Sequence, residues 1–294
     1  MELTQESAAL DEERIDEIVA ETFPASDAPA WNATHAGEPV QRSVAPEPTP
    51  EAMRALLRAD LERLSRSTPG AAEQRKHRED AIARAFLASG RSVIREPVDS
   101  EMLVRTLECE QVGSVREASC VIVGARYDDA DVSGVAALLA VSRALTGTDL
   151  LRNVRFVAFA NTSRASGADR YVERLSKSGD SVHAMLSLGR LDLARGHDAS
   201  VLVVGNLASR QIVHRTARAF RMASRIGVRG VSLPSWVPGV AASDHASFWR
   251  YGWPAAMVLD GPHWRTRSLG APDVDRIAAA VPGLVAAVVR LAEA

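Results

Sequence analysis

The sequence predicts an α/β fold in which helices cover both faces of a mostly parallel central sheet. Predicted strands and helices alternate from about residue 92 to residue 291 of the 294-residue chain. The predicted strands are almost continuously apolar, as in residues 120–125 and 154–160. Such runs are typical of parallel strands that are buried on both faces. We therefore expect three layers, with helices on either side of one sheet.

Each element follows from local patterning. Pro50 suits the first position of a helix, and Met53, Leu57, Leu61 and Leu64 then follow at helical spacing. Strands are bounded by polar or turn-forming residues, and helices carry an apolar stripe. In order, we predict a helix within residues 1–20, helices at 50–64 and 72–88, strands at 92–97, 102–110 and 120–125, a helix at 132–145, a strand at 154–160, a helix at 167–176, strands at 182–188 and 200–204, a helix at 209–223, a strand at 255–259 and a helix at 274–291.

The chain divides into three regions. Residues 1–37 hold a helical pattern and a Phe-Pro-Ala-Ser-Asp segment, residues 38–50 form a proline-rich linker, and residues 51–294 form the α/β domain. The Phe-Pro-Ala-Ser-Asp segment resembles a short motif of unknown role in small bacterial proteins. It could be an apolar clasp on the main domain or a peptide that binds a protein partner, with Phe23 and Trp31 as contact residues.

The composition excludes several classes of function. Hydrophobic residues make up 46% of the chain, charged residues 24%, and the formal net charge is −2, which gives no electrostatic basis for binding nucleic acid or an anionic membrane. Cys109 and Cys120 lie in or beside apolar runs and are expected to be buried thiols. No apolar run approaches the roughly 18 residues of a membrane span, and residues 1–13 lack a signal-peptide pattern, so we expect a cytoplasmic protein.

Several blocks, in order, resemble the zinc-dependent aminopeptidase family that also contains glutaminyl cyclases and the transferrin-receptor ectodomain. The blocks are Val121-Ile-Val-Gly-Ala125, Ser133-Gly134-Val-Ala-Ala-Leu-Leu139, Val154-Arg-Phe-Val-Ala-Phe159, Ala184-Met-Leu-Ser-Leu188, Leu233-Pro-Ser-Trp-Val-Pro-Gly239, Ser243-Asp-His-Ala-Ser-Phe-Trp249 and Gly252-Trp-Pro-Ala255. The resemblance covers residues 52–294 and implies the phosphorylase/hydrolase-like α/β fold. It also implies two zinc ions at the carboxyl ends of the strands, held by imidazole and carboxylate ligands, with a glutamate as general base.

The resemblance can be followed from one ligand position to the next. The family's first histidine ligand falls on Arg126, within Arg126-Tyr-Asp, and the bridging aspartate falls on Ala130. The adjacent glutamates, general base and then ligand, fall on Thr162 and Ser163, and the acidic ligand after the next strand falls on Gly189. These are degenerate ligand positions.

The last histidine ligand of the family can be aligned in two ways. Matching a His-Thr pair places Arg265 at the ligand position, whereas counting back from Asp273 without a gap places His263 there. The sequence leaves both alignments open.

The residues at these positions cannot hold zinc in the family's manner. Arginine stays protonated and has no free lone pair, alanine and glycine offer no donor, and neutral hydroxyls are poor zinc ligands. A threonine at position 162 cannot act as a base near neutral pH. We therefore expect no zinc cofactor and no peptidase activity, and interpret the chain as a pseudoenzyme with a binding or regulatory role.

Two other functions compete with this interpretation. One is a hydrolase with shifted metal ligands drawn from Asp128, Asp129, Asp131, His245 and His263. A Ser163–His245–Asp128 triad is not expected, because Ser163 lacks the Gly-x-Ser-x-Gly elbow.

The other is a module that binds anionic small molecules in an arginine-lined cleft. Its candidate arginines are Arg126, Arg164, Arg190 and Arg265. Asp128 is expected to pair locally with Arg126. Asp244 and His245 are expected to fix their loop by hydrogen bonds, beside the residual pocket.

Overall fold

The computed structural model describes residues 49–98, 104–115, 119–163, 165–191, 200–261 and 272–294. The predicted helix and Phe-Pro-Ala-Ser-Asp segment within residues 1–37, and most of the predicted linker, lie outside these residues. Within the described ranges, helices and a single eight-stranded sheet alternate as predicted.

The described elements have the following bounds. The helices are α1 (Pro50–Ser65), α2 (Ala71–Ala88), α3 (Ser133–Ala144), α4 (Gly167–Ser178), α5 (Arg210–Ala223), α6 (His245–Trp249) and α7 (Val274–Ala292), with a 3₁₀ turn at Leu207–Ser209 before α5. The strands are β1 (Ile94–Pro97), β2 (Arg105–Gln111), β3 (Cys120–Arg126), β4 (Val154–Phe159), β5 (Val182–Leu188), β6 (Val201–Gly205), β7 (Val228–Ser232) and β8 (Ala255–Asp260).

The sheet is mostly parallel, as predicted, with antiparallel pairings toward its edges. The strand order is β1-β2-β4-β3-β5-β8-β6-β7. Four of the seven pairings are parallel, namely β4 with β3, β3 with β5, β5 with β8 and β6 with β7. Because β4, β3 and β5 are parallel neighbours, the loops that follow them meet at one edge of the sheet.

Helices cover both faces of the sheet and give the predicted three layers. One core cluster joins residues of the sheet to α1, α2, α3, α5 and α7, and a second joins the other face to α4 and α6. Helix α3 is buried along residues 133–142, because it packs between β3 and the outer helices α1 and α7. Its apolar sequence is explained by this two-sided contact.

Two elements were not predicted. Strand β7 contains Arg229 and Gly230, which weaken a strand pattern, and it pairs only with β6 among the described strands. Gly230 lies close under α5, with a hypothetical Cβ 3.1 Å from a methyl carbon of Val213. Helix α6 has five residues, too few for a periodic pattern. The ends of the predicted strands and helices otherwise differ from those observed by at most three residues.

The structure also bears on the membrane and cysteine expectations. None of the described helices is both long and apolar enough to cross a membrane. Cys109 and Cys120 are buried free thiols, as predicted. Burial raises the pKa of Cys109 to about 12 and that of Cys120 to about 11, so both thiols stay protonated and unreactive at neutral pH.

Candidate functional site

An ion pair joins the end of β3 to the loop before α6. Arg126, the last residue of β3, donates from Nη2 to Asp244 Oδ1 over 2.8 Å. The side chain of Arg126 is 27% exposed, whereas that of Asp244 is 1% exposed. Arg126 Nη1 also lies 3.9 Å from Asp129 Oδ2. Arg126 is the main described cation that neutralises the buried Asp244 carboxylate.

Burial and charge act against each other in this pair. Burial lowers the pKa of Arg126, but the attraction of Asp244 outweighs it, so the pKa is raised overall and the guanidinium stays charged. Burial raises the pKa of Asp244, and Arg126 only partly reverses this effect. Asp244 Oδ2 and Arg126 Nε are buried and have no hydrogen-bond partner among the described residues.

Arg126 and Asp128, which were predicted to form a local ion pair or hydrogen bond, attract each other, but among the described residues the ion pairs of Arg126 are with Asp129 and Asp244. Asp128 turns toward β4, and its Oδ2 accepts a hydrogen bond from the backbone N–H of Asn161 over 2.9 Å. Burial is the main reason that the pKa of Asp128 is raised. Asp128 therefore ties the loop after β3 to the end of β4. Its Oδ1 is buried and has no hydrogen-bond partner within the part of the chain that the structure describes.

A buried arginine in α2, which the sequence analysis missed, binds the backbone of the loop after β3. Arg78 in α2 donates to the carbonyl oxygens of Leu64, Tyr127 and Asp129, over 2.9, 2.9 and 2.6 Å. Burial lowers its pKa against the attraction of nearby aspartates. A signal was present in the sequence, since Arg78 stands four residues before the buried Ile82 and so on the apolar face of its helix.

Thr162 and Ser163, the two positions after β4, lie in a turn that is closed by hydrogen bonds between Thr162 and Ala165. Thr162 N–H donates to the carbonyl of Ala165 over 2.8 Å, and Thr162 Oγ1 accepts from Ala165 N–H over 2.9 Å. Ser163 is exposed at the tip of this turn. Position 162 therefore presents a hydroxyl that is already engaged with backbone, where the family resemblance places a general base.

Gly189, the position after β5, has no side chain, although the surrounding atoms leave room for a Cβ. A hypothetical Cβ on Gly189 would meet only ordinary contacts, with Leu259 Cβ nearest at 3.4 Å. The first turn of α3 is packed against the same segment, since a Cβ on Gly134 would lie 2.5 Å from the carbonyl oxygen of Leu188. Leu191 N–H also donates to Ser133 Oγ over 3.0 Å, which fixes the start of α3 beside the end of β5.

The aspartates that follow β3 also have structural roles. Asp131 Oδ1 accepts from the N–H of Ser133 over 2.7 Å at the start of α3. Its Oδ2 lies 3.0 Å from Arg190 Nε. Asp129 and Ala130 are exposed. The sequence-predicted residues thus lie at one edge of the sheet, Arg126 as the last residue of β3 and Ala130, Gly189 and Arg190 in the loops after β3 and β5.

The Ser243-Asp244-His245 element fixes its loop by hydrogen bonds, as predicted. His245 Nε2 lies 2.7 Å from the carbonyl of Val240, which can only accept, so Nε2 carries the proton. Burial lowers the pKa of His245 to about 4, and its buried Nδ1 has no hydrogen-bond partner in the described ranges. The imidazole is neutral at pH 7 and meets Trp249 edge-on. Ser243 and Ser187 share a hydrogen bond of 3.0 Å.

Some candidate residues lie outside the described ranges. These are Arg164, His263, Arg265, Phe23 and Trp31. The choice between His263 and Arg265 as the last ligand position therefore stays open, and so do the roles of Phe23 and Trp31.

The described side chains at this edge do not fit zinc. Three of the positions at which the resemblance places ligands carry a guanidinium, a methyl group and a hydrogen atom, at Arg126, Ala130 and Gly189. Asp128 already accepts a backbone N–H, and His245 is fully buried. Within the described residues, no group of three or more histidine, cysteine or acidic side chains is arranged to hold a metal ion.

Comparison with known proteins agrees with the resemblance found in the sequence. The family model described as peptidase family M28 matches residues 115–278, which is more than half of the chain. The chain belongs to peptidase family M28. The match begins just before β3 and ends within α7, so it includes each of the loops described above.

One sequence relative and two solved structures show what this M28 chain is similar to. The uncharacterized protein YfbL of Escherichia coli (strain K12) is 24% identical over 189 residues, which is 52% of this chain and 58% of YfbL. The chain therefore spans less than two thirds of that relative. The aminopeptidase LapA of Legionella pneumophila superposes with a TM-score of 0.65 at 15% identity, over 90% of this chain and 80% of LapA. A Zn-dependent exopeptidase from Parabacteroides distasonis gives 0.57 at 14% identity, over 83% of this chain and 99% of that one. These two structures support the fold.

Proposed function

We propose that this M28 chain is a pseudoenzyme, a peptidase-like protein that does not cleave peptides and that serves a binding or regulatory role. The observation that carries the proposal is the ion pair between Arg126 and Asp244. Arg126 stands where the resemblance places the first imidazole ligand, and its guanidinium neutralises a carboxylate that is 1% exposed. A fixed cation of the protein supplies positive charge at a place where the family uses a metal.

The state of the general-base position supports the same proposal. In M28 relatives that cleave peptides, the resemblance implies a glutamate that takes a proton from a metal-bound water. Thr162 has no proton-accepting group of suitable pKa, and its hydroxyl accepts from Ala165 N–H within its own turn. Ligand and base positions are therefore both unsuited to the zinc-dependent reaction.

The two rival functions receive less support from the described residues. For shifted metal ligands, Asp128 and Asp131 each have an oxygen committed to a backbone N–H. For anion binding in the cleft, Arg126 and Arg190 each pair with a carboxylate, so neither is an available cation. We propose neither function.

The activity test compares the natural chain with a rebuilt site. Hydrolysis of leucine p-nitroanilide is measured with and without added Zn²⁺ and with a chelator. The matched variant carries Arg126→His, Ala130→Asp, Thr162→Glu, Ser163→Glu and Gly189→Asp. We expect no chelator-sensitive turnover by the natural chain, and metal-dependent turnover or at least tighter zinc binding by the variant. Chelator-sensitive hydrolysis by the natural chain would overturn the proposal.

A partner-binding role for the N-terminal region is a second part of the proposal. Phe23 and Trp31 supply large apolar surfaces of the kind that anchor protein interfaces. Cross-linking and affinity capture from the host cell would compare the full chain with a Phe23→Ala, Trp31→Ala variant. We expect specific partners to be lost from the variant. Recovery of the same partners at the same yield would contradict a partner-binding role for Phe23 and Trp31.

A further inference from the structure

A second concave surface lies among helices α1, α3, α5 and α7 and shares no residue with the sheet-edge site. Its cavity volume is about 540 Å³, within the range of small-molecule sites. Apolar side chains form much of its lining, including Met53, Val281 and Val285. A cavity of this size and composition suits a ligand with an apolar body.

The backbone of α7 adds polar atoms to this apolar wall. Pro282 lies inside α7 and lines the cavity, and it has no N–H to donate to the carbonyl of Ala278, which also lines the cavity. One residue further on, the carbonyl of Ala279 accepts a hydrogen bond from Ser224 Oγ over 2.9 Å. The proline thus opens the helical hydrogen-bond ladder beside the cavity.

The charged groups around the cavity are all positive among its described lining residues. They are Arg54 and Arg225, and none of the described lining residues is acidic. Arg54 is engaged, because its Nε donates to Asp275 Oδ1 over 2.8 Å. Arg225 is exposed and has no carboxylate within ion-pair distance among the described residues. The first residue of α1, Pro50, borders the cavity, and so do the last residues of α3 and α5, Ala144 and Ala223, so helix-dipole ends of both signs meet there. The positive charge of the cavity therefore comes from the side chain of Arg225.

From this charge distribution we infer a binding site for a small amphipathic monoanion, such as a medium-chain carboxylate. Its alkyl chain packs against Met53, Val281 and Val285, and its carboxylate pairs with Arg225. This inference does not depend on the loss of peptidase activity, because the lining residues are separate from the positions at the ends of β3, β4 and β5. Failure of one proposal would leave the other unchanged.

The test uses the full chain and titrates decanoate, with decanol as an uncharged probe of the same chain length, by calorimetry or by NMR of backbone amides. The first variant, Arg225→Gln, removes the proposed partner of the carboxylate. Its matched control is Arg218→Gln, an exposed arginine on α5 that does not line the cavity. The second variant, Ala278→Phe, places a large side chain in the cavity.

We expect saturable binding of one decanoate, with amide shifts confined to α1, the end of α3, α5 with the residues just after it, and α7. Arg225→Gln should weaken decanoate about ten-fold and leave decanol unchanged, since one charge-assisted contact is lost. Arg218→Gln should have no effect, and Ala278→Phe should abolish binding of both probes. Absence of saturable binding below about 1 mM, the level of a very weak complex, would overturn the inference. Equal decanoate affinity of the natural chain and Arg225→Gln would also overturn it.

Discussion

The loop after β3 and the loops after β4 and β5 lie at the same edge of the sheet but are built differently. The loop after β3 keeps its charged side chains, and each has a partner: Arg126 pairs with Asp244, and Asp128 accepts a backbone N–H. After β4 and β5 stand a hydroxyl closed into its own turn at Thr162, an exposed Ser163 and a bare Gly189. The charged residue that follows, Arg190, pairs with Asp131 of the loop after β3.

Two kinds of position can therefore be distinguished. At one kind, a charged side chain stabilises the fold; at the other, a charged side chain would be needed only to bind a metal. A carboxylate or guanidinium at the end of β3 satisfies buried partners, so its removal would leave unpaired polar atoms. At positions 163 and 189 no described fold contact demands a charged side chain. We interpret the site as a scaffold whose remaining charges serve stability.

The largest effect is expected from Arg78→Met in α2. The substitution leaves the carbonyls of Leu64, Tyr127 and Asp129 without their charged donor, so we expect a loss of about 4 kcal/mol in the free energy of unfolding. Chemical denaturation measures it. Arg84→Met, an exposed arginine on the same helix, is the control and should change stability by less than about 0.5 kcal/mol. Equal effects of the two substitutions would mean that Arg78 does not hold the loop after β3.

A second comparison uses two neighbouring glycines. Gly134→Ala would place a Cβ 2.5 Å from a backbone oxygen, so we expect a loss of about 3 kcal/mol. Gly189→Ala meets its nearest atom at 3.4 Å and should cost less than about 1 kcal/mol. Thermal unfolding of the two variants checks this. A large loss for Gly189→Ala would show that position 189 is constrained by packing and is not an open ligand position.

The ion pair at the end of β3 can be tested by a double-mutant cycle. Arg126→Met leaves the buried Asp244 without its cation, and we expect a loss of about 2–3 kcal/mol, moderated by the partial exposure of the guanidinium. Adding Asp244→Asn removes the unpaired charge and should restore about half of that loss. Strictly additive losses would show that the two side chains are not coupled.

A smaller effect is expected from the pH dependence of His245. Its pKa is lowered to about 4 by burial, below its value in the unfolded chain, so the unfolded state binds a proton first as pH falls. The contribution of the neutral imidazole to the free energy of unfolding is complete above about pH 6.5. It falls by about 2 kcal/mol between pH 7 and pH 5.

Replacing the imidazole tests this pH dependence. His245→Gln keeps a donor for Val240 and cannot titrate, so it should lack this loss. The raised pKa values of Asp128 and Asp244 act in the opposite sense, and they cancel when the variant is compared with the natural chain. Parallel pH profiles of the two proteins would contradict the assignment.

Much of the fold could be predicted because the elements that form the sheet have strong local patterns. Strands β3, β4 and β5 are apolar runs between turn signals, and α7 has a long apolar stripe. Strand β7 and helix α6 were not predicted because they are short and contain glycine or aromatic residues without periodicity. Short elements of this kind depend on tertiary contacts more than on their own sequence.

The site itself was only half predictable. The degenerate positions at Arg126, Thr162 and Gly189 could be identified in the sequence, since they follow recognisable strands. The pairing of Arg126 with Asp244, 118 positions away along the chain, could not, because local spacing made Asp128 the nearer partner. Side-chain direction at the end of a strand decides such pairings, and a single sequence does not carry it.

Equilibrium dialysis against Zn²⁺ tests whether the sheet edge lacks a zinc site, as we propose. Protein stripped with a chelator is dialysed against micromolar zinc, and bound metal is measured by mass spectrometry beside the variant with rebuilt ligands at positions 126, 130, 162, 163 and 189. We expect no stoichiometric zinc on the natural chain and bound zinc on the variant. Two equivalents of zinc on the natural chain, lost on replacing Asp129 and Asp131 with asparagine, would contradict the account.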